Sequence, residues 1–186
     1  MKSLKGQLLL DGGRLLDTEF RRTVVLICQH DANGAFGLVL NRPSEHKVGC
    51  ALDDPLPEPI RDLPVFLGGP VQPQAFSCLI HDSAYTTTES EWTVLPGLRL
   101  THDIRELLEP EEDFLRRARF KFFAGYAGWA PGQLEQELKQ HAWLVHPATV
   151  DLVFDPQPKL LWSKILRTKG PQYRLLAELP EDPSLN

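Results

Sequence analysis

Thr23-Val24-Val25-Leu26-Ile27-Cys28, then Asp31-Ala32-Asn33-Gly34, then Ala35-Phe36-Gly37-Leu38-Val39-Leu40, is the stretch that decides the fold class of this 186-residue chain. The first run is continuously apolar and rich in β-branched residues, which suits a strand buried on both faces. The middle residues tolerate positive φ and the last six read as a second strand, so the segment predicts a β-hairpin. The second strand ends at Asn41-Arg42-Pro43, because proline has no N–H with which to continue a ladder.

Working outward, residues 44 to 63 read as a proline-punctuated surface loop with one helical turn near Cys50-Ala51-Leu52. Short strands are expected at Val65-Phe66-Leu67, Phe76-Ser77-Cys78-Leu79-Ile80-His81, Trp92-Thr93-Val94-Leu95, Phe120 to Ala124 and Asp151-Leu152-Val153-Phe154. Helices come later. Asp103 and Glu106 have capping-box spacing ahead of Ile104, Leu107 and Leu108. Beyond Pro110, the acids Glu111, Glu112 and Asp113 suit a positive helix end. A second helix is expected from Pro131 to about Gln140, and a third over 156–169 with Asp155 as its N-cap and Gly170 past its end. The tail, 180–186, reads as frayed. With no repeat and no linker, the expectation is a single α+β domain over 1–186.

Composition sets the outer limits. The 20 Lys+Arg against 25 Asp+Glu leave a net charge of −5, and the chain lacks an apolar run near the roughly 18 residues needed to cross a bilayer. The 16 Pro and 13 Gly make up about 16% of residues against an average near 12%, which excludes a helical bundle. Basic residues are scattered along the sequence, which disfavours a nucleic-acid groove. The densest group, Arg116, Arg117, Arg119 and Lys121, reads as a solvated face. Three cysteines, Cys28, Cys50 and Cys78, form neither a disulfide framework nor a CxxC zinc site and fit a reducing cytoplasm. The apolar stretch after Lys5 is too brief for the core of a secretory leader and lacks a small-residue cleavage site.

Few residue patterns carry chemistry. The nucleophile elbow, the P-loop and the His-Glu-x-x-His motif are all absent, and neither a metal nor a cofactor is expected. Cys28 and His30, two apart on one strand, would share a face, but a thiol ending an apolar run reads as a buried core residue. Gly125-Tyr126-Ala127-Gly128-Trp129-Ala130-Pro131-Gly132 reads as a strand leaving through a turn into a helix. Its N–H groups, with Gln133 in the first turn, could face an anion; the plainer reading is a tight turn with Trp129 filling the core.

The run from Phe20 to His30, continuing through Gly34 to Pro43, closely resembles the signature of the bacterial AlgH/YqgE family. So do Gly68-Gly69-Pro70-Val71, Gly97 to Asp103, Gly125 to Leu138, Trp143-Leu144, and Val153-Phe154-Asp155 with Trp162 behind it. The similarity spans nearly the whole chain in order, departing at Thr18, where the family more often has proline. The resemblance implies one α+β domain with a strongly bent mixed sheet, partly barrel-like, flanked by helices. Members of the family have been labelled transcriptional regulators, but this sequence shows neither a helix-turn-helix pattern nor a basic recognition helix, so any regulation is expected to be indirect.

Three functions follow as expectations. In the first, strand ends converge on a polar cleft formed by His30, Asn41, Arg42, His81, His102, Asp103 and Gln133, which binds a small ligand or a protein partner, with Gly68, Gly69, Gly125 and Gly128 as anion-binding turns. In the second, His30, His81 or His102 acts as a general base oriented by Asp103 or Asp31 in a hydrolase or phosphate-handling enzyme. The third is a protein-interaction module marked by exposed Trp92, Trp143 or Trp162.

Overall fold

Strands β1 (Gln7–Asp11), β2 (Val24–Asp31) and β3 (Gly34–Val39) open the chain in a computed structural model describing residues 2–15, 18–52, 55–84 and 92–179. β2 and β3 form the expected hairpin, with Val25 opposite Val39 and Leu26 opposite Leu38. At the turn, Asp31 Oδ1 accepts the N–H of Asn33 (2.7 Å) and Gly34 takes φ 125°. Val24, Leu26 and Cys28 face one core cluster while Val25 and Ile27 face another, so β2 is buried on both sides.

The remaining strands are β4 (Pro43–Lys47), β5 (Pro64–Leu67), β6 (Val71–His81), β7 (Thr93–Leu95), β8 (Leu98–Thr101), β9 (Arg119–Trp129) and β10 (Trp143–Pro147). They join in the order β10-β1-β2-β3-β9-β6-β8-β7, with β5 alongside β9 and β4 on β5. Every pairing is antiparallel except β5 with β9, so the sheet is mixed, and it curls strongly into a half-barrel. β9 is long enough to serve both halves. Its first part pairs with β5 and β6, and its last three residues pair with β3.

Helices cover both faces. On the inner face, α5 (Val150–Val153), α6 (Leu161–Leu166) and α7 (Pro171–Glu178) place Val153, Leu161, Trp162, Ile165 and Ala177 against Leu8, Leu10 and Leu26. α4 (Gln133–Lys139) sets Leu134 against Leu9, Val25, Trp129 and Trp143. The short helices α1 (Val48–Ala51) and α2 (Glu58–Arg61) and a 3₁₀ turn at Ile104–Leu107 close a third cluster around Phe122; α3 (Glu112–Arg117) adds Phe114 and Leu115 to its border.

Several expectations change. Asp151-Leu152-Val153-Phe154 is helical rather than a strand, because Thr149 Oγ1 accepts the Leu152 N–H and caps a turn; a four-residue apolar run does not separate the two states by its pattern. The helix expected over 156–169 is a 3₁₀ turn (Pro158–Leu160) followed by α6, since Asp155 Oδ1 takes the Gln157 N–H in a local turn. The pairing partner of β1, β10, and the last helix, α7, were not expected at all. Pro43 opens a new edge strand instead of only ending one.

The glycine-rich segment also reads differently. β9 runs through Gly125 to Trp129, and the turn into α4 is only Ala130-Pro131-Gly132. Asp103 Oδ1 accepts the Arg105 N–H as expected of a cap, but Glu106 pairs with Arg99 (3.0 Å) rather than reaching back. Lys121 is not on a solvated face. β9 alternation turns it inward, where it is 5% exposed, with its Nζ donating to the Val153 carbonyl (2.9 Å) and lying 4.1 Å from the Phe66 ring centre. The tail at 180–186 lies outside the described residues.

Candidate functional site

Asp11, the last residue of β1, is 1% exposed and organises the turn that follows. Its Oδ1 accepts the N–H groups of Gly13 (2.8 Å) and Leu15 (3.3 Å), and its Oδ2 accepts that of Arg22 (2.8 Å). From the other side, Asn41, two residues past β3, accepts the Val24 N–H at Oδ1 and donates from Nδ2 to the Arg22 carbonyl, both at 2.8 Å. Between these clamps Arg22 is held at φ 55°, a left-handed conformation uncommon for a residue other than glycine. Backbone of this kind persists only where its surroundings over-determine it, and such positions cluster at binding sites.

The clamp aims side chains into one hollow. Arg42 donates from Nη2 to the Arg21 carbonyl (3.3 Å). The Arg22 guanidinium lies over Trp162, 5.1 Å from the ring centre, and donates to the Leu179 carbonyl. Trp162, buried at 3%, donates its indole N–H to the Asp11 carbonyl (3.0 Å), which ties α6 to β1. Between this turn and the C-terminal helices lies a cleft of about 580 Å³. Arg21, Arg22 and Arg42 line it from the sheet side, and Lys159 and Arg167 from the helical side. No acidic residue lines it among the described residues. Partial burial pushes the Arg42 guanidinium below its ordinary pKa, opposed by the nearby charge of Glu19.

The other candidate residues lie elsewhere. His102 and Asp103 line a hollow of about 690 Å³ beside Trp92 and Thr101. Its charges are internally matched: Asp103 accepts from Arg105 (2.7 Å), Asp82 from Arg117 (3.0 Å) and Glu106 from Arg99 (3.0 Å). The His102 ring stands edge-on to Trp92 (5.3 Å) and Phe36 (6.0 Å). His81, at the end of β6, packs against Phe154 (6.4 Å between rings), and its Nδ1 is buried without a hydrogen-bond partner among the described residues.

His30 meets α4, whose first residue is Gln133, on the opposite side of the sheet. A bulge between Ile27 and Gln29 turns His30 onto the Ile27 face, so that it no longer shares a face with Cys28. His30 Nδ1 accepts the Leu4 N–H (3.0 Å), which leaves the proton on Nε2 to be donated to Glu135 (3.0 Å). Both ring nitrogens are thereby engaged. Gln133 accepts the Ala130 N–H and donates to Glu137, and Glu137 Oε2 accepts the indoles of Trp129 (2.9 Å) and Trp143 (2.6 Å). Trp129, Trp143 and Trp162 are buried at 6%, 4% and 3%, whereas Trp92 is 46% exposed, so the tryptophans form no exposed cluster among the described residues.

Gly68, Gly69 and Gly125 meet one another where the chain leaving β5 passes over β9. A Cβ on Gly68 would stand 2.2 Å from the Gly125 carbonyl oxygen, and one on Gly69 would stand 2.3 Å from the Tyr126 backbone. The Gly68 N–H donates to the Ala124 carbonyl (2.9 Å). Gly128 pairs with Phe36 in the ladder between β9 and β3. Sequence reasoning reached Asn41 and Arg42 but not Asp11, Arg22, Lys159 or Arg167. Arg22 carried one usable signal, its place in an Arg-Arg pair between two apolar strands.

Buried thiols Cys28 and Cys78 have their pKa pushed far up by desolvation, so neither is a nucleophile at neutral pH. None of the described helices is long and apolar enough to cross a membrane, and the described residues hold no cluster of three or more potential metal ligands.

A family profile described as AlgH-like matches residues 8–174. The chain is 38% identical over 184 residues to a UPF0301 protein of Chlorobium luteolum, covering 97% of this chain and 94% of that one. It is 32% identical over 189 residues to a UPF0301 protein of Cytophaga hutchinsonii, covering 98% of each. Among solved structures, the solution structure of the AlgH protein from Pseudomonas aeruginosa matches with a TM-score of 0.68 and 29% identity, over 97% of this chain and 99% of that one. The crystal structure of protein DIP2367 from Corynebacterium diphtheriae matches with a TM-score of 0.73 and 23% identity, over 96% and 94%, a likeness of fold. With a profile spanning most of its length and full-length relatives at 38% and 32% identity, the chain belongs to the AlgH-like family.

Proposed function

We propose that this protein is a binding module for a small anionic ligand, held in the cleft between the Arg21-Arg22 turn and helices α6 and α7, and that any regulatory effect passes through the ligand-bound form rather than through direct contact with DNA. The observation that carries this reading is the gathering of five basic side chains, with no described acidic one, in a single concavity of a protein whose net charge is −5. The cleft lies within the size range of small-molecule sites. Asp11 and Asn41 fix the backbone of Arg22 before any ligand arrives, which lowers the ordering cost of binding. The free thiols Cys28, Cys50 and Cys78 support a reducing, cytoplasmic location.

The enzymatic reading has weaker support. Asp103 is engaged by Arg105, Asp31 by Gln29 and Asn33, and His30 by Leu4 and Glu135, so the His–Asp pairs it requires are not assembled among the described residues. Thermal unfolding with and without inorganic phosphate tests the binding reading, with equal ionic strength set by chloride. A ligand at about 100 times its Kd adds about 2.7 kcal/mol, which for a chain of this length raises Tm by roughly 5–10 °C. Arg42→Gln is expected to lose most of that rise. Equal melting of the wild type in chloride, in phosphate and in pyrophosphate would refute anion binding at this cleft.

A further inference from the structure

Charge in the cleft comes from both of its walls. Arg21, Arg22 and Arg42 stand on the sheet side, Lys159 and Arg167 on the helical side. We infer that the ligand is a compact molecule carrying two or more phosphoryl groups, one set against each wall, an inference that rests on the reading of the cleft as an anion site. A single small anion seated against one wall leaves the basic groups of the other wall unengaged by it. An oligophosphate supplies several charges within a few ångströms, and its oxygens match the forked geometry of guanidinium groups.

The rest of the molecule limits what shape that anion takes. Of the 20 basic residues five line the cleft, which leaves 15 against 25 acidic residues, or −10, over the remainder of the chain. An extended polyanion such as a nucleic-acid strand would run out of the cleft and meet the net negative field of the rest of the chain, whereas a small oligophosphate stays inside about 580 Å³. On the helical side, Leu160 (52% exposed) and Ala177 give an apolar shelf among the charges. That shelf suits a small organic body attached to the phosphates. Arg22 couples the walls, since its backbone is clamped by the sheet while its guanidinium lies on Trp162 of α6 and donates to Leu179 beyond α7.

The test is calorimetric titration of the full chain with orthophosphate, pyrophosphate and tripolyphosphate at matched ionic strength, without divalent cations. The expected result is a ladder, with tripolyphosphate bound at least about tenfold more tightly than orthophosphate. Arg42→Gln on one wall and Arg167→Gln on the other are each expected to weaken tripolyphosphate about tenfold. Arg116→Gln on α3, where the side chain pairs with exposed Glu112, is expected to leave it unchanged. A flat ladder, with orthophosphate bound as tightly as tripolyphosphate, overturns the oligophosphate inference and leaves the anion site standing. Failure of all three anions to bind overturns both. Tighter binding of a single-stranded or duplex oligonucleotide than of tripolyphosphate overturns the inference in favour of a nucleic-acid surface.

Discussion

Lys121→Met isolates the energy of one buried charge. Desolvation lowers the Lys121 pKa from 10.5 to about 7, with Asp155 opposing that fall and Arg119 adding to it. A native pKa below the unfolded one means that the unfolded chain binds more protons between about pH 7 and 10.5. Stability therefore rises with pH across that window, and the penalty is present in full below pH 7. At about 1.4 kcal/mol per pH unit, a span of about 3.5 units makes the penalty about 5 kcal/mol. Methionine fills a similar volume without a charge, but it leaves the Val153 carbonyl without its donor, a loss of about 1–2 kcal/mol that does not depend on pH because the neutral amine donates as well; the contact with Phe66 acts on the charged form alone and is already contained in its pKa. The variant should therefore be more stable than wild type by about 3 kcal/mol near pH 6. The advantage should shrink by about 1.4 kcal/mol per pH unit above pH 7 and vanish or reverse near pH 10. Urea unfolding of both proteins across this range measures the difference directly, and other titrating groups cancel in it. A difference that stays constant from pH 6 to pH 10 would refute the reasoning, since it would mean that Lys121 ionises in the fold as it does in the open chain.

Other positions give sharp expectations. Glu137→Ala leaves the buried indole N–H groups of Trp129 and Trp143 without their acceptor and should cost about 2–4 kcal/mol, read from the shift in denaturation midpoint; a cost under about 0.5 kcal/mol would show that other acceptors replace it. Gly69→Ala places a Cβ 2.3 Å from the Tyr126 backbone at φ 152° and should destabilise by about 3 kcal/mol or more, so wild-type melting of this variant would contradict the close approach of the chain after β5 to β9. In a thiol titration of the native protein at neutral pH, Cys50 alone should react promptly, because Cys28 and Cys78 are buried with raised pKa values; denaturant should bring the count to three.

The hairpin of β2 and β3 was legible because its signals are local: a continuous apolar run, residues suited to a turn, then a second run. β10 was not, since Trp143–Pro147 is a strand chiefly through pairing with β1 some 130 positions earlier. Lys121 was misread because its basic neighbours span a helix end and a strand, and only the register of β9 determines which of them turn inward. The charge at the cleft was invisible for a related reason. Arg21 and Arg167 are distant in sequence, so a chain whose cations look scattered can still collect five of them at one place once the sheet curls and α6 packs across it. Glycines pointed in the opposite direction: their clustering suggested ligand loops, whereas Gly68, Gly69 and Gly125 allow two backbones to touch.

The bond from the Trp162 indole to the Asp11 carbonyl spans 151 positions, and the pairing of β1 with β10 closes a loop nearly as long. Loops of that size close late in folding, after the local hairpins have formed. The basic cleft has one wall on each side of that closure, so a chain emerging in order holds the Arg21-Arg22 half long before the half that carries Lys159 and Arg167. The cleft is therefore complete only when folding is: a chain stalled with its last helices undocked would present the three sheet-side arginines with no second wall facing them.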